Sequence, residues 1–190
     1  MSRRAVQSRI ARAAEALFVA KGFEETTVDE IAATVGMSQR SFFRYFASKD
    51  EVVLDSIERL GEELARALEA RPPGEPEWDS LRRSFDPIVE RLNDAEKREH
   101  DQALHRIVDA SPRLFAAYLG RLDQLQRSLA ERLLERAVAS GREPDGLVLR
   151  ATVGCAFACL HAAMVQVATE PEDFGRSLDR AMAALRPARV

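Results

Sequence analysis

Residues 27–46, TVDEIAATVGMSQRSFFRYF, decide the fold. Thr27 and Glu30 have the spacing of a capping box. In that box the Thr hydroxyl takes the amide three residues on, and the Glu carboxylate returns to the Thr amide. A helix therefore starts after Thr27. It is short, because Gly36 offers a stop and Ser38 can cap a further helix. Two short helices crossing steeply need a small residue where they meet, a glycine to turn, and apolar side chains facing inward from both. Ala32 supplies the small residue and Gly36 the turn, while Ile31, Val35, Met37, Phe42 and the ring of Tyr45 supply the inside. The spacing predicts a helix-turn-helix.

Outward from that motif, helical periodicity runs almost end to end and nothing reads as strand. A first helix over roughly 3–21 buries Val6, Ile10, Ala13, Ala14, Leu17 and Phe18. Gly22 then offers a left-handed Schellman stop that Phe23 can close. A second box, Ser48 to Glu51, starts a fourth helix whose apolar stripe extends to about residue 70. Arg71-Pro72-Pro73-Gly74-Glu75-Pro76 breaks the chain. Beyond it the reading predicts a helix bearing Trp78, Leu81, Phe85, Ile88 and Leu92, kinked at Pro87, and a short helix over 95–108. A long helix follows from Ser111-Pro112 to Gly141, then one from Pro144 through the apolar run 151–167. The last follows Pro171. The expected fold is all-α with about nine helices. Residues 1–50 form a helix-turn-helix domain of three helices, residues 51–190 form a larger helical domain, and helix four, about 48–70, links the two.

The 190 residues carry a net charge of −3, and 46% are apolar and 31% charged, an ordinary folded profile. The distribution says more than the sum. Arg3, Arg4, Arg9 and Arg12 form one basic cluster and Arg40, Arg44 and Lys49 another, with an acidic stretch between. Cys155 and Cys159 lie in the apolar run and read as buried small residues, not as a disulfide framework. That run holds His161 and Gln166, is short for a membrane span and reads as a buried helix. Arg12 and Glu15 interrupt any signal-peptide core, so the expected location is cytoplasmic, without a membrane. There is no Ser/His/Asp pattern and no phosphate loop. His100 and His105, five apart, are split around a helix. The sequence therefore leads us to expect no catalytic residue, metal or cofactor.

The outward positions of the third helix carry the chemistry. Gln39, Arg40, Ser41 and Arg44 are not needed for its core, and Gln and Arg can each make two hydrogen bonds to a base edge in the major groove. The hydroxyls of Thr27 and Ser38, with the free amides at their helix starts, suit phosphate oxygens. Lys49 sits unfavourably in the first turn of helix four, which a nearby phosphate would explain. Arg3 and Arg4 form a tail that can act as an arm on the DNA backbone or in the minor groove.

The stretch from about 9 to 56 resembles the N-terminal domain of the TetR family in Ala14, Leu17, Phe18, Gly22, Thr27, Ile31, Ala32, Gly36, Ser38, Tyr45, Phe46, Ser48 and Lys49. The resemblance implies that residues 1–50 are a DNA-binding domain and residues 51–190 a ligand-binding and dimerisation domain, and that helix three is the recognition helix, with Thr27, Ser38 and Lys49 at the usual phosphate positions and Phe43 and Tyr45 among the residues that contact DNA. Phe43 stands where the family commonly has Tyr, which removes a hydroxyl, and Arg40 where it commonly has Gly. The resemblance further implies a transcription regulator, more often a repressor, that binds double-stranded DNA as a homodimer and answers to a small effector. A mostly apolar pocket is then expected among Phe85, Ile88, His105, Val108, Tyr118, Leu122, Phe157, His161 and Met164. The last two helices would pair with a second copy through Cys155, Cys159, Phe174, Leu178, Ala181 and Leu185. Two other classes stay open: an enzyme or carrier using the helical pocket, and a helical module that dimerises without touching DNA.

Overall fold

The computed structural model describes residues 2–169 and 173–186. Pro171, the expected break before the last helix, lies outside them. Among the described residues there are ten helices and no strand. In order they are α1 (Arg3–Lys21), α2 (Val28–Thr34), α3 (Gln39–Phe42), α4 (Lys49–Glu69) and α5 (Glu77–Ser84). Then follow α6 (Asp86–Asn93), α7 (Ala95–Ala110), α8 (Pro112–Ala139), α9 (Gly146–Thr169) and α10 (Phe174–Ala184). α5 and α6 are the single kinked helix of the sequence reading. Phe85 separates them and Pro87 lies in the first turn of α6. Lacking an N–H and crowding the carbonyl of Arg83, Pro87 breaks the helix outright.

Contacts group the chain into two compact units. The first takes the residues up to 59 together with 99–121, and the second takes 60–98 and those from 122 onward. This grouping differs from a boundary at 50/51. Val52, Val53, Leu54 and Ile57 of α4 are buried in the first unit. On α8, Arg121 pairs with Glu51 at 2.8 Å, and Arg113 pairs with Asp50.

The core of the second unit is built from α4, α5, α6, α8, α9 and α10. Phe85 meets Phe157 edge-on at 5.5 Å, and the Trp78 indole donates to the carbonyl of Met182 at 3.1 Å. α10 lies along α9 and turns Phe174, Leu178 and Met182 into this core. Three expected interface residues, Cys159, Phe174 and Leu178, are therefore already buried against their own chain. Burial also raises the Cys159 thiol above its ordinary range. Cys155 and Leu185 are exposed, and Ala181 is half-buried. The correction has a simple cause. α9 is apolar all round, and by length and composition alone it could cross a membrane. Periodicity could not say which of its faces the chain covers for itself. The uncovered face carries Val148, Ala151, Cys155, Ala158, Ala162 and Val165, spaced alternately three and four apart.

The first unit has an acidic residue inside it. Glu15 lies on the buried face of α1 and is only 6% exposed. Arg59 of α4 donates to it at 2.9 Å and also pairs with Asp55 at 2.9 Å. The Nε2 atom of His100 on α7 lies 3.3 Å from the second Glu15 oxygen. Burial raises the Asp55 carboxyl above its ordinary range, against the opposing charge of Arg59. One cluster thus ties α1, α4 and α7. A charge-assisted hydrogen bond contributes roughly 1.5–3 kcal/mol, and Arg59 is partly solvated, so Glu15→Ala is expected to cost about 2 kcal/mol. Urea denaturation measures this. An unchanged midpoint would show that the cluster does not hold the three helices together.

Candidate nucleic-acid interface

The geometry of the motif starts at its caps. The Thr27 amide donates to Glu30 Oε2 at 2.8 Å and the Glu30 amide donates back to the Thr27 hydroxyl at 3.3 Å, so the expected box forms. Lys21 at the end of α1 also binds the Glu30 carboxylate. That hydrogen bond, followed by the one from the Thr27 amide, holds Glu30 well below its ordinary 4.5, at about 2.

The turn after α2 is a Schellman motif: Met37 N–H donates to the Ala32 carbonyl at 2.9 Å and Gly36 N–H to Ala33 at 3.0 Å, with Gly36 at φ 70°. The stop after α1 is of another kind. Gly22 makes one bond to the Phe18 carbonyl at 3.0 Å and has φ 98° and ψ 152°, a conformation open essentially to glycine alone. The Phe18–Phe23 contact expected there does form, with ring centroids 5.0 Å apart.

α3 is shorter than the sequence predicts. Ser38 caps it by accepting from the Ser41 amide at 3.2 Å, and bonds to the carbonyl four residues back are made by Phe42 and Phe43, and again by Phe46 at 3.1 Å. Arg44 and Tyr45 then bond to carbonyls three residues back, a tighter turn that carries the chain to Phe46. Phe42 is fully buried on the inner side with Ile31 and Ala32. On the outer side Gln39, Arg40, Phe43 and Arg44 are exposed, Phe43 to 49%. Among the described residues the guanidinium groups of Arg40 and Arg44 meet no partner.

The expected arm is not an arm. Ser2 caps α1 by accepting from the Ala5 amide at 3.3 Å, so Arg3 and Arg4 are helical. Arg3 donates to the Arg44 carbonyl at 2.8 Å and its guanidinium lies 5.5 Å from the centre of the half-buried Tyr45 ring. α1 supplies two further donors. Gln7 reaches the Tyr45 carbonyl at 3.5 Å and Arg9 the Val35 carbonyl at 3.2 Å. A basic cluster in the sequence marked Arg9, but no motif marks a bond to a main-chain carbonyl.

Lys49 also has a different setting from the one expected. Its ammonium donates to the carbonyls of Phe23 at 2.7 Å, Glu24 at 3.2 Å and Thr26 at 3.4 Å, and lies 4.3 Å from the centre of the Phe23 ring. These carbonyls explain a cation in the first turn of α4 without a phosphate. Ser48 caps α4 by accepting from Glu51, whose carboxylate goes to Arg121.

The expected pocket residues fall in different units. Phe85, Ile88 and Phe157 are core of the second, and Leu122 and Met164 pack against that core. His105, Val108 and Tyr118 belong to the first, where the rings of His105 and Tyr118 lie 6.0 Å apart. His161 is exposed on α9.

Residues 10–55 match a family model described as bacterial regulatory proteins, tetR family, and residues 75–189 match one described as the MftR C-terminal domain. The HTH-type transcriptional regulator TcmR of Streptomyces glaucescens is 39% identical over 137 residues, 70% of this chain and 61% of TcmR. The HTH-type regulator YfiR of Bacillus subtilis is 32% identical over 46% of this chain and 43% of its own. The chain thus spans about two fifths to three fifths of these relatives' lengths. SmeT, the repressor of the Stenotrophomonas maltophilia multidrug efflux pump SmeDEF, is similar in fold. In complex with triclosan it has a TM-score of 0.67 at 24% identity, covering 95% of this chain and 91% of its own.

The cap of α2 makes a pH prediction. A carboxylate held below its ordinary value stabilises the fold above pH 4.5, and that contribution is lost as pH falls toward 2. Carboxyl-carbon NMR is expected to place the Glu30 midpoint near 2, and Lys21→Met to raise it. A midpoint at 4.5 in the unaltered chain would show that the box and its Lys21 bond do not form in solution.

Proposed function

The chain belongs to the TetR family of bacterial regulatory proteins, and on that footing we propose that it is a sequence-specific, DNA-binding transcription regulator in the cytoplasm. In this reading it is a homodimeric repressor, released from a palindromic operator by a small, mostly apolar or amphipathic effector. No catalytic step belongs to it.

One observation carries the reading. α3 is buried on one side by Phe42, and on the other α3 and the turn after it present Gln39, Arg40 and Arg44, with no partner for either guanidinium among the described residues. Gln39 and Arg40 stand in the first turn, where a recognition helix meets base edges in the major groove. Free amides at the starts of α2 and α3 suit phosphates beside the Thr27 and Ser38 hydroxyls. Arg3, braced against the exit of α3, adds positive charge on the same side. The Phe43 ring and Ser41 hydroxyl complete the contact set, while Lys49 acts through the loop it holds.

A palindromic operator requires a twofold partner. The uncovered face of α9 suits a second copy of itself. Val148, Ala151, Cys155, Ala158, Ala162 and Val165 make a seam whose small residues let two helices approach closely. Leu185, 55% exposed, extends the apolar surface on α10. The effector is expected among the apolar side chains around Phe85, Ile88 and Phe157. By linkage, effector and operator weaken each other's binding by the same factor.

Two substitutions separate the parts. Each two-bond contact to a base is worth roughly 1–3 kcal/mol, so Arg40→Ala with Arg44→Ala is expected to weaken operator binding about 100-fold or more in fluorescence anisotropy. The dimer should stay intact by light scattering. Operator affinity that survived both changes would remove α3 from recognition. Ala158→Arg places a charge in the α9 seam and is expected to turn the dimer into a folded monomer in sedimentation. A dimer that persisted would place the interface elsewhere.

A further inference from the structure

The ends of α1 and α7, with the loop after α1, enclose a cleft of about 440 Å³. It lies wholly in the first unit and includes none of the residues assigned above to the effector or to DNA. Phe18 and Ala103, both buried, form its floor, and Phe23 and Ile107 line its sides. Glu24 and Glu25 stand on the loop side, and Arg106 on the α7 side.

The electrostatics of this cleft favour one sign of ligand. α1 ends at Lys21 and α7 at Ala110, so both helices finish beside the cleft. The last carbonyls of a helix carry about half a negative charge, and the start of α8, capped by the lining residue Ser111, offsets one of the two ends. Two carboxylates add to this. Of the cations, Lys49 is turned to the loop carbonyls and lies 3.6 Å from Glu24, and Lys21 is held by Glu30. Arg106 is the remaining positive group on the lining. Glu25 has no hydrogen bond or ion pair among the described residues. An apolar floor, two aromatic rings and the Glu25 carboxylate complement an organic cation with an apolar body.

We propose that this cleft is a binding site for a small amphipathic organic cation, with the apolar body against Phe18 and Ile107 and the charged head at Glu25. The loop that lines it also bears on α2 and α4. Thr26 donates from its hydroxyl to the Gly22 carbonyl at 2.7 Å, and Lys49 holds the Phe23 carbonyl. A ligand that displaces this loop pulls on the start of α2 and on the first turn of α4. Its effect on operator binding rests on the regulator reading, whereas its binding does not.

Calorimetry of the full chain tests the site with two probes of similar apolar body, the cation 3-phenylpropyltrimethylammonium and the anion 4-phenylbutyrate. The cation is expected to bind at least tenfold more tightly than the anion. Glu25→Gln should weaken it about tenfold. Ala110→Trp, which fills the cleft from an exposed position, should abolish it. Val19→Trp serves the same purpose if the first variant does not fold. An anion that binds as tightly as the cation, or cation binding unchanged in Glu25→Gln and in a folded cleft-filling variant, overturns the site. Anisotropy with operator DNA is the separate arm. Operator affinity unchanged at saturating cation would overturn the cleft's influence on α2 and α4. Failure to bind DNA with no cation present would count against the regulator reading alone and leave the calorimetric result standing.

Discussion

The chain must reverse direction between α2 and α3 in four residues while burying Ile31, Ala32 and Phe42, and the rest of the first unit depends on that reversal. Gly36 at φ 70° makes it possible, because the left-handed backbone costs an L side chain roughly 1–2 kcal/mol. The Schellman bonds then satisfy the last carbonyls of α2. α3 itself is a single turn, far below the length at which a helix is stable alone. It is held by Phe42 from within and by α1 from beside, through Arg3 and Gln7 at its exit. The orientation of Arg40 and Arg44 is therefore set by residues that face the other way.

The charges fit the same division of labour. A chain of net charge −3 is an unpromising partner for a polyanion when read as a whole. Much of its arginine is tied up elsewhere along the chain. Arg59, Arg71, Arg82, Arg121 and Arg142 each hold a carboxylate, and Arg136 caps the carbonyls of Leu68, Arg71 and Pro72. Among the described residues Arg40 and Arg44 are not tied in this way. The surface they make is locally positive, and local potential rather than net charge governs encounter with DNA.

Much of this was legible in the sequence. Burial repeats with the helical period, and Gly, Pro and capping residues mark its ends, so α1, α4 and α8 lie close to their expected positions. The capping box at Thr27 and the buried Ile31, Ala32 and Phe42 are where their spacing put them, while Val35, Met37 and Tyr45 are only half-buried. What was hidden had no side-chain signature. A tight turn after Phe42 and a continued helix place the same residues inward, so α3 read too long. Lys49 and Gln7 bind main-chain carbonyls, which any sequence has everywhere. α9 is apolar on every face, so Cys159 could not be told from Cys155. Glu15 did leave a trace, a charge four residues after Ala11 and three before Phe18 on a buried face. Such a charge calls for a buried partner, but not for Arg59 and His100 in particular.

The central claim is that α3 reads DNA sequence. It is tested most directly by anisotropy of the purified chain with DNA from beside its own gene, against a scrambled duplex, over a salt series. The account predicts tight binding to the first and much weaker binding to the second, with affinity falling steeply as salt rises because phosphate contacts release counterions. A folded dimer that bound neither duplex at any salt, or both equally, would contradict it.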